Sequence, residues 1–157
     1  MRWLRSSIVR LFASIFRRFS PVLNSPSRLT KGGEAMDHMA IGHLGEKIAR
    51  QWLCGQGVKV LYRNYRAPAG GEVDIVAREG KTLLFIEVKT RKSSSYGRPI
   101  EAVNAGKRRL IRRGANAWLK LLKTREIPWR YDVIEVVLEE GQRPRVHRVE
   151  NAFSDTE

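Results

Sequence analysis

The sequence predicts an α/β (α+β) domain, a mixed sheet flanked by helices in the order αβββαββ. Three observations carry this reading. Five short stretches are apolar at strand period, two longer ones repeat apolar residues at helical spacing, and Gly-containing turns separate them. The first helix covers 38–55: Ile41, Leu44, Ile48 and Trp52 form one stripe, Gly45, Ala49 and Leu53 lie beside it, and Gly55 or Gly57 closes it. Residues 58–65 alternate Val58, Val60 and Tyr62 as strand one, and 68–71 form a loop. Strand two is 72–78, with Val73, Ile75 and Ala77 on one face. After the Glu79-Gly80 turn comes strand three, 82–90, whose unbroken apolar run implies a central strand covered on both sides. A polar loop at 91–99 leads to a helix over 101–124, marked by Val103, Leu110, Ile111, Gly114, Trp118 and Leu121. Residues 129–138 give strand four, Glu140-Gly141 a turn, and 145–149 a short edge strand. No internal repeat is present.

The chain has 157 residues, 42% of them hydrophobic, enough for one domain with a real core. Thirty Lys and Arg against sixteen Asp and Glu leave a net charge of +14. That excludes an acidic solvating tail and does not suit a neutral metabolic enzyme; it points to a polyanion. The single cysteine, Cys54, excludes an internal disulfide and reads as a small, partly buried apolar residue. One cysteine and three scattered histidines give no structural zinc pattern. His38, His43 and His147 read as surface groups, Trp52 and Trp118 as core, and Trp3 and Trp129 as surface candidates.

Two regions hold the excess charge. Residues 1–35 carry seven basic groups and one acid. Within them Leu4, Ile8, Leu11, Phe12, Ile15 and Phe19 recur at helical spacing with arginines between, a basic amphipathic pattern. The arginines interrupt it too often for a membrane span, and its uncharged run is too short for a secretory signal. It reads as an appendage outside the fold, a segment lying on an anionic membrane, or an Arg-rich transit peptide; Met36 and Met39 are alternative starts. Residues 21–33 have linker composition. The domain is expected at 36–150, with a tail at 151–157. The second basic region, 89–125, has twelve Lys and Arg and only Glu101 as an acid.

The chemistry falls on strands two and three. Glu72 and Asp74 are two apart, as are Glu87 and Lys89, so each pair shares a sheet face. If Arg78 pairs with Lys81, Glu72 faces Glu87; if Arg78 pairs with Leu83, Asp74 faces Glu87. Opposed carboxylates repel and are costly to desolvate among apolar neighbours. A hard divalent cation with oxygen ligands would offset this, helped by Lys89. A solvent-facing sheet surface is the other reading, and spacing alone does not choose between them.

Asp74, then twelve residues, then Glu87-Val88-Lys89 resembles the D…ExK signature of the PD-(D/E)xK nuclease superfamily. The surrounding motifs are Gly42-His43-Leu44-Gly45-Glu46, Arg63-Asn64-Tyr65-Arg66, Gly71-Glu72-Val73-Asp74, Phe85 to Arg91, Tyr96-Gly97, Ala102-Val103 with Lys107, and Arg130-Tyr131-Asp132-Val133. Together they resemble the bacterial YraN-like family of predicted endonucleases, similar to archaeal Holliday-junction resolvases. The resemblance covers about 39–149. Val73 stands where the superfamily has a proline.

This resemblance implies Mg²⁺-dependent, or Mn²⁺-dependent, hydrolysis of phosphodiester bonds in DNA, selective for branched or damaged structures. Asp74, Glu87 and the Val88 carbonyl would hold the metal. Lys89 would act on the attacking water or the developing charge. Glu46 matches the helix glutamate that completes the acidic cluster of related resolvases, and Glu72 would be an outer ligand or a partner for a basic group. Asp132 is either catalytic or a buried structural group. Arg91, Lys92 and Arg98 on the loop, and Lys107, Arg108, Arg109, Arg112 and Arg113 on the second helix, are the expected phosphate contacts. Homodimerisation and membrane contact by the N-terminal segment are further readings, in a cytoplasmic protein. Two other functions stay open: a non-catalytic nucleic-acid-binding or scaffold protein on the same fold, and a membrane-surface adaptor.

Overall fold

A computed structural model describes residues 28, 34–92, 103–123 and 126–155. The N-terminal amphipathic segment, Tyr96-Gly97 and Arg98 lie outside the described residues. The order is α1 (His38–Gly55), β1 (Lys59–Arg66), β2 (Glu72–Glu79), β3 (Thr82–Arg91), α2 (Ala105–Leu121), β4 (Trp129–Val137) and β5 (Arg145–Phe153). All five strands form one sheet in the order β1-β2-β3-β4-β5. Only β3 and β4 are parallel, as the helical crossover through α2 requires; the other neighbours are antiparallel.

Each helix starts on a side-chain cap. Asp37 accepts from the Ala40 N–H at 2.7 Å and Asn104 from the Lys107 N–H at 2.9 Å. α1 packs across β1, β3 and β4, whereas α2 packs on β2 and β3. Two apolar layers result. Ile41, Ile48 and Leu53 of α1 meet Ile75, Ala77, Leu84, Ile86 and Ile134. On the other face Ile111, Ala115 and Leu119 of α2 meet Val73, Val76, Phe85, Tyr131 and Phe153. β3, buried from Leu83 through Val88, is the doubly covered strand its apolar run predicts.

Two glycines set how closely the helices approach. A methyl at Gly45 would collide with the Thr90 side chain, so α1 lies directly on β3 one residue before Glu46. A methyl at Gly71 would lie 2.5 Å from the Gly114 nitrogen, so β2 enters the sheet pressed against α2.

Four sequence expectations are corrected. Val73 does not share a face with Ile75 and Ala77: it packs under α2 and they pack under α1. The alternation breaks at Asp74 because its cross-strand neighbour Asn64 has a left-handed backbone, φ 50°. The β1–β2 register runs through Arg63↔Ile75 and Tyr65↔Val73, and both strands change face between those pairs. β5 is not short: it runs to Phe153, whose ring stacks on Tyr131 at 4.6 Å. Cys54 is exposed rather than partly buried, since it lies across α1 from the apolar stripe. Trp129 is half-buried in an aromatic cluster with Phe85 and Tyr131.

Candidate active site

The β2–β3 hairpin takes the second of the two possible registers, with Arg78 opposite Leu83. Its backbone ladder ends at Ile75↔Ile86. Continued by one residue, that register places Asp74 opposite Glu87. At this point the Asp74 carboxylate, not a backbone carbonyl, accepts the Val88 N–H at 2.8 Å.

Glu87 is 2% exposed, the most thoroughly buried acid of the site. Its Oε1 pairs with Lys89 Nζ at 2.9 Å. Its Oε2 lies 3.2 Å from Lys107 Nζ, close enough for charge attraction but without hydrogen-bond geometry. That oxygen and Trp118 Nε1 are the buried side-chain polar atoms left without a hydrogen bond among the described residues. Lys107 reaches down from α2 and donates to Glu72 at 2.5 Å. Three acids, Glu72, Asp74 and Glu87, thus share two lysines.

The titration of these groups follows. Burial, and then the Glu87 charge beside it, push the Asp74 carboxyl up to about 7. The hydrogen bond from Lys107 lowers the Glu72 pKa. Burial opposes the charge on Lys107, but its bond to Glu72 and the charges of Glu87 and Asp74 outweigh this and raise its pKa.

Glu46 projects from α1 between two clefts. One, of about 490 Å³, is lined by His43, Lys47, Arg50, Arg63, Asn64 and Asp74 as well as Glu46. The other, of about 380 Å³, adds Val88, Arg91 and Lys92. Among the described residues no three His, Cys, Asp or Glu side chains form a ready-made metal cage. The fit to a hard cation rests on less: two converging carboxylates, one with an orphaned oxygen. That is the protein share typical of a Mg²⁺ site, which keeps waters and substrate phosphates as its other ligands.

Asp132 lies elsewhere. Fully buried on β4, it accepts from Arg130 Nε at 3.0 Å, Arg148 Nε at 2.9 Å and the Asn151 N–H at 2.9 Å. Glu79 joins the same two arginines. Of the basic residues expected to hold phosphate, Lys107 turns inward, and Arg91 pairs with Glu135. Arg108 donates to the Val103 carbonyl and Arg112 to the Ser154 carbonyl, both over the Phe153 ring. Arg109 and Arg113 are exposed. Lys47, Arg50 and Arg63 escaped the sequence reading, although His43, Lys47 and Arg50 stand at helical spacing.

A five-stranded mixed sheet flanked by helices, with an aspartate on one strand and Glu-Val-Lys on the next, has the restriction-endonuclease-like architecture. The chain belongs to the uncharacterised protein family UPF0102, the YraN-like family, whose model matches residues 45–136. It is 44% identical over 117 residues to a UPF0102 protein of Trichlorobacter lovleyi, covering 74% of this chain and 91% of that one. A Geobacter metallireducens UPF0102 protein is 41% identical, over 76% of this chain and 96% of its own length. A Geobacter sulfurreducens relative is 43% identical, over 77% and 94%.

Proposed function

We propose that the protein is a metal-dependent endonuclease that hydrolyses phosphodiester bonds in DNA, selective for branched or damaged structures. The observation that carries this reading is the buried Glu87 carboxylate, with one oxygen unsatisfied, converging on Asp74 beside Lys89. A buried acid surplus is costly, and a cation relieves it. Asp74, Glu87 and the Val88 carbonyl would hold Mg²⁺ or Mn²⁺. Once bound, the ion lowers the pKa of water and neutralises phosphate charge. The chain's own residues do the rest. The Val88 N–H fixes one Asp74 oxygen. Lys89, 28% exposed and held by Glu87, can orient the attacking water or meet the charge that develops on the phosphate. Glu72 engages Lys107, and Glu46 stands at the mouth of both clefts.

The test is Mg²⁺-dependent cleavage of linear, flapped and four-way DNA, with Asp74→Ala as control. Metal-dependent cutting lost in the variant is expected; equal activity of both proteins overturns the reading. One observation favours a second reading. Lys107 already brings a cation to Glu72 and Glu87, so the domain would bind nucleic acid without cutting it. Calorimetry with Mg²⁺ and Mn²⁺ in the presence of DNA separates the two: a well-folded protein that takes up no metal is the binding module.

A further inference from the structure

We propose that the groove between α1 and β1, and not the basic face of α2, is the track that carries the sugar-phosphate backbone of duplex DNA to Asp74. The inference deepens the nuclease reading and rests on it for the identity of the polyanion.

The groove is built from two elements. His43, Lys47 and Arg50 stand at i, i+4 and i+7 on α1, so they project from one side of the helix, while Ile41, Ile48 and Leu53 bury the other. β1 supplies Arg63 and Asn64, and Asp74 and Ile75 of β2 complete the lining. The left-handed backbone at Asn64 matters here. It brings Arg63 to the α1 side while Tyr65 turns under α2, and it stands opposite Asp74. The same kink that lets Asp74 reach both Glu87 and the groove therefore also aims a basic residue into that groove.

The state of the cations and their place beside Asp74 together distinguish this surface from α2. Lys47, Arg50 and Arg63 form no ion pair with any described residue. The acids in the lining are Glu46 and Asp74, both already assigned to the metal side of the site. On α2, Lys107 is committed to Glu72, and Arg108 and Arg112 donate to backbone carbonyls. Arg109, Arg113 and Lys120 are exposed and form no ion pair with a described residue, but none of them lines the cleft that holds Asp74. An arginine that already donates to a protein carbonyl is held there and has fewer of its five N–H groups left for a phosphate than an unpaired one on a cleft wall. A count of charges along the sequence therefore overstates what α2 offers and understates α1.

Scale agrees with this. His43 to Arg50 spans about 10 Å along the helix at 1.5 Å per residue. A DNA strand advances about 3.4 Å per nucleotide along the duplex axis and about twice that along its own backbone, so that length of α1 faces about two phosphates, and Arg63 on β1 extends the track.

The experiment measures binding of the full chain to a fluorescent duplex by anisotropy across a NaCl series, without divalent metal so that nothing is cut. The groove variant is Lys47→Gln/Arg50→Gln/Arg63→Gln; the α2 variant is Arg109→Gln/Arg113→Gln/Lys120→Gln. Each lost phosphate contact should flatten the dependence of log affinity on log salt by about 0.9. The groove variant should lose about two to three units of slope, and the α2 variant less than one. A groove variant with wild-type slope, or an α2 variant that takes most of it, overturns the inference. Should the triple variant fail to fold, Lys47→Gln and Arg63→Gln singly must each remove about one unit, and unchanged slopes in both overturn it equally. The nuclease reading fails separately: the expected slopes from a protein that cuts no DNA with Mg²⁺ would leave the groove standing and remove only the chemistry.

Discussion

Two clusters of buried charge lie on one sheet, and they are satisfied to different degrees. Around Asp132, two arginines meet Asp132 and Glu79 through bonds of 2.7 to 3.1 Å, and both Asp132 oxygens have donors. Around Glu87, three acids share two lysines and one buried oxygen has no hydrogen bond. Burial of charge is thus no sign of function by itself. The saturated cluster ties β2, β4 and β5 together; the unsaturated one keeps a buried carboxylate oxygen without a donor.

The comparison breaks most readily at Asp132. Asp132→Ala leaves Arg130 and Arg148 facing a vacancy, and loss of one partner from a buried pair costs about 3–5 kcal/mol. Urea denaturation should register a loss of that size; a loss below about 1 kcal/mol would mean that the network is ornamental. At the other cluster the same kind of change should spare the fold and remove the chemistry. Asp74→Ala or Glu87→Gln should lower cleavage at least about 10²-fold, the scale on which single electrostatic groups act in catalysis, while the circular dichroism spectrum stays native.

Acidity sharpens the contrast further. Asp74 titrates near 3.8 when unfolded and near 7 in the fold. Its contribution to stability is therefore fully present below 3.8 and is lost as pH rises through about 7. Glu79 runs the other way: the Arg148 bond lowers its pKa from 4.5, so its contribution is present above 4.5 and is lost as pH falls. In metal-free buffer, Asp74→Asn should raise the melting temperature above that of wild type at pH 8, with the gap closing towards pH 4. A gap that widens in acid would reverse the assignment. The smallest effect belongs to Asn64. Asn64→Gly should be nearly neutral, since glycine accepts a positive φ, whereas Asn64→Val should cost about 1–3 kcal/mol; equal melting temperatures would show that the kink is not strained.

Much of this was legible beforehand, for identifiable reasons. α1 was readable to its ends because an apolar stripe and a closing glycine are local signals. The opposition of Asp74 and Glu87 was one of two registers that the hairpin left open, and the pairing of Arg78 with Leu83 selects it. What was not legible depends on tertiary partners. β5 extends past Val149 because Phe153 finds Tyr131, a contact that the polar run Glu150-Asn151 hides. Val73 changes face because of the backbone at Asn64, on another strand. Lys107 looks like one more surface cation until α2 packs on β2 through Gly71 and Gly114. Arg108 and Arg112 likewise look available until the Val103 and Ser154 carbonyls take them up over the Phe153 ring.

The exposed Cys54 has a practical consequence. It follows Arg50 by four residues and Lys47 by seven, so it continues the groove-facing side of α1 as the only thiol in the chain. From Glu46 to Cys54 is about 12 Å along the helix. A dye coupled there would need no engineered attachment point and would sit beside the path argued for DNA. An iron chelate on the same sulfur would cut the bound strand nearby and write the orientation of the duplex as a ladder of fragments.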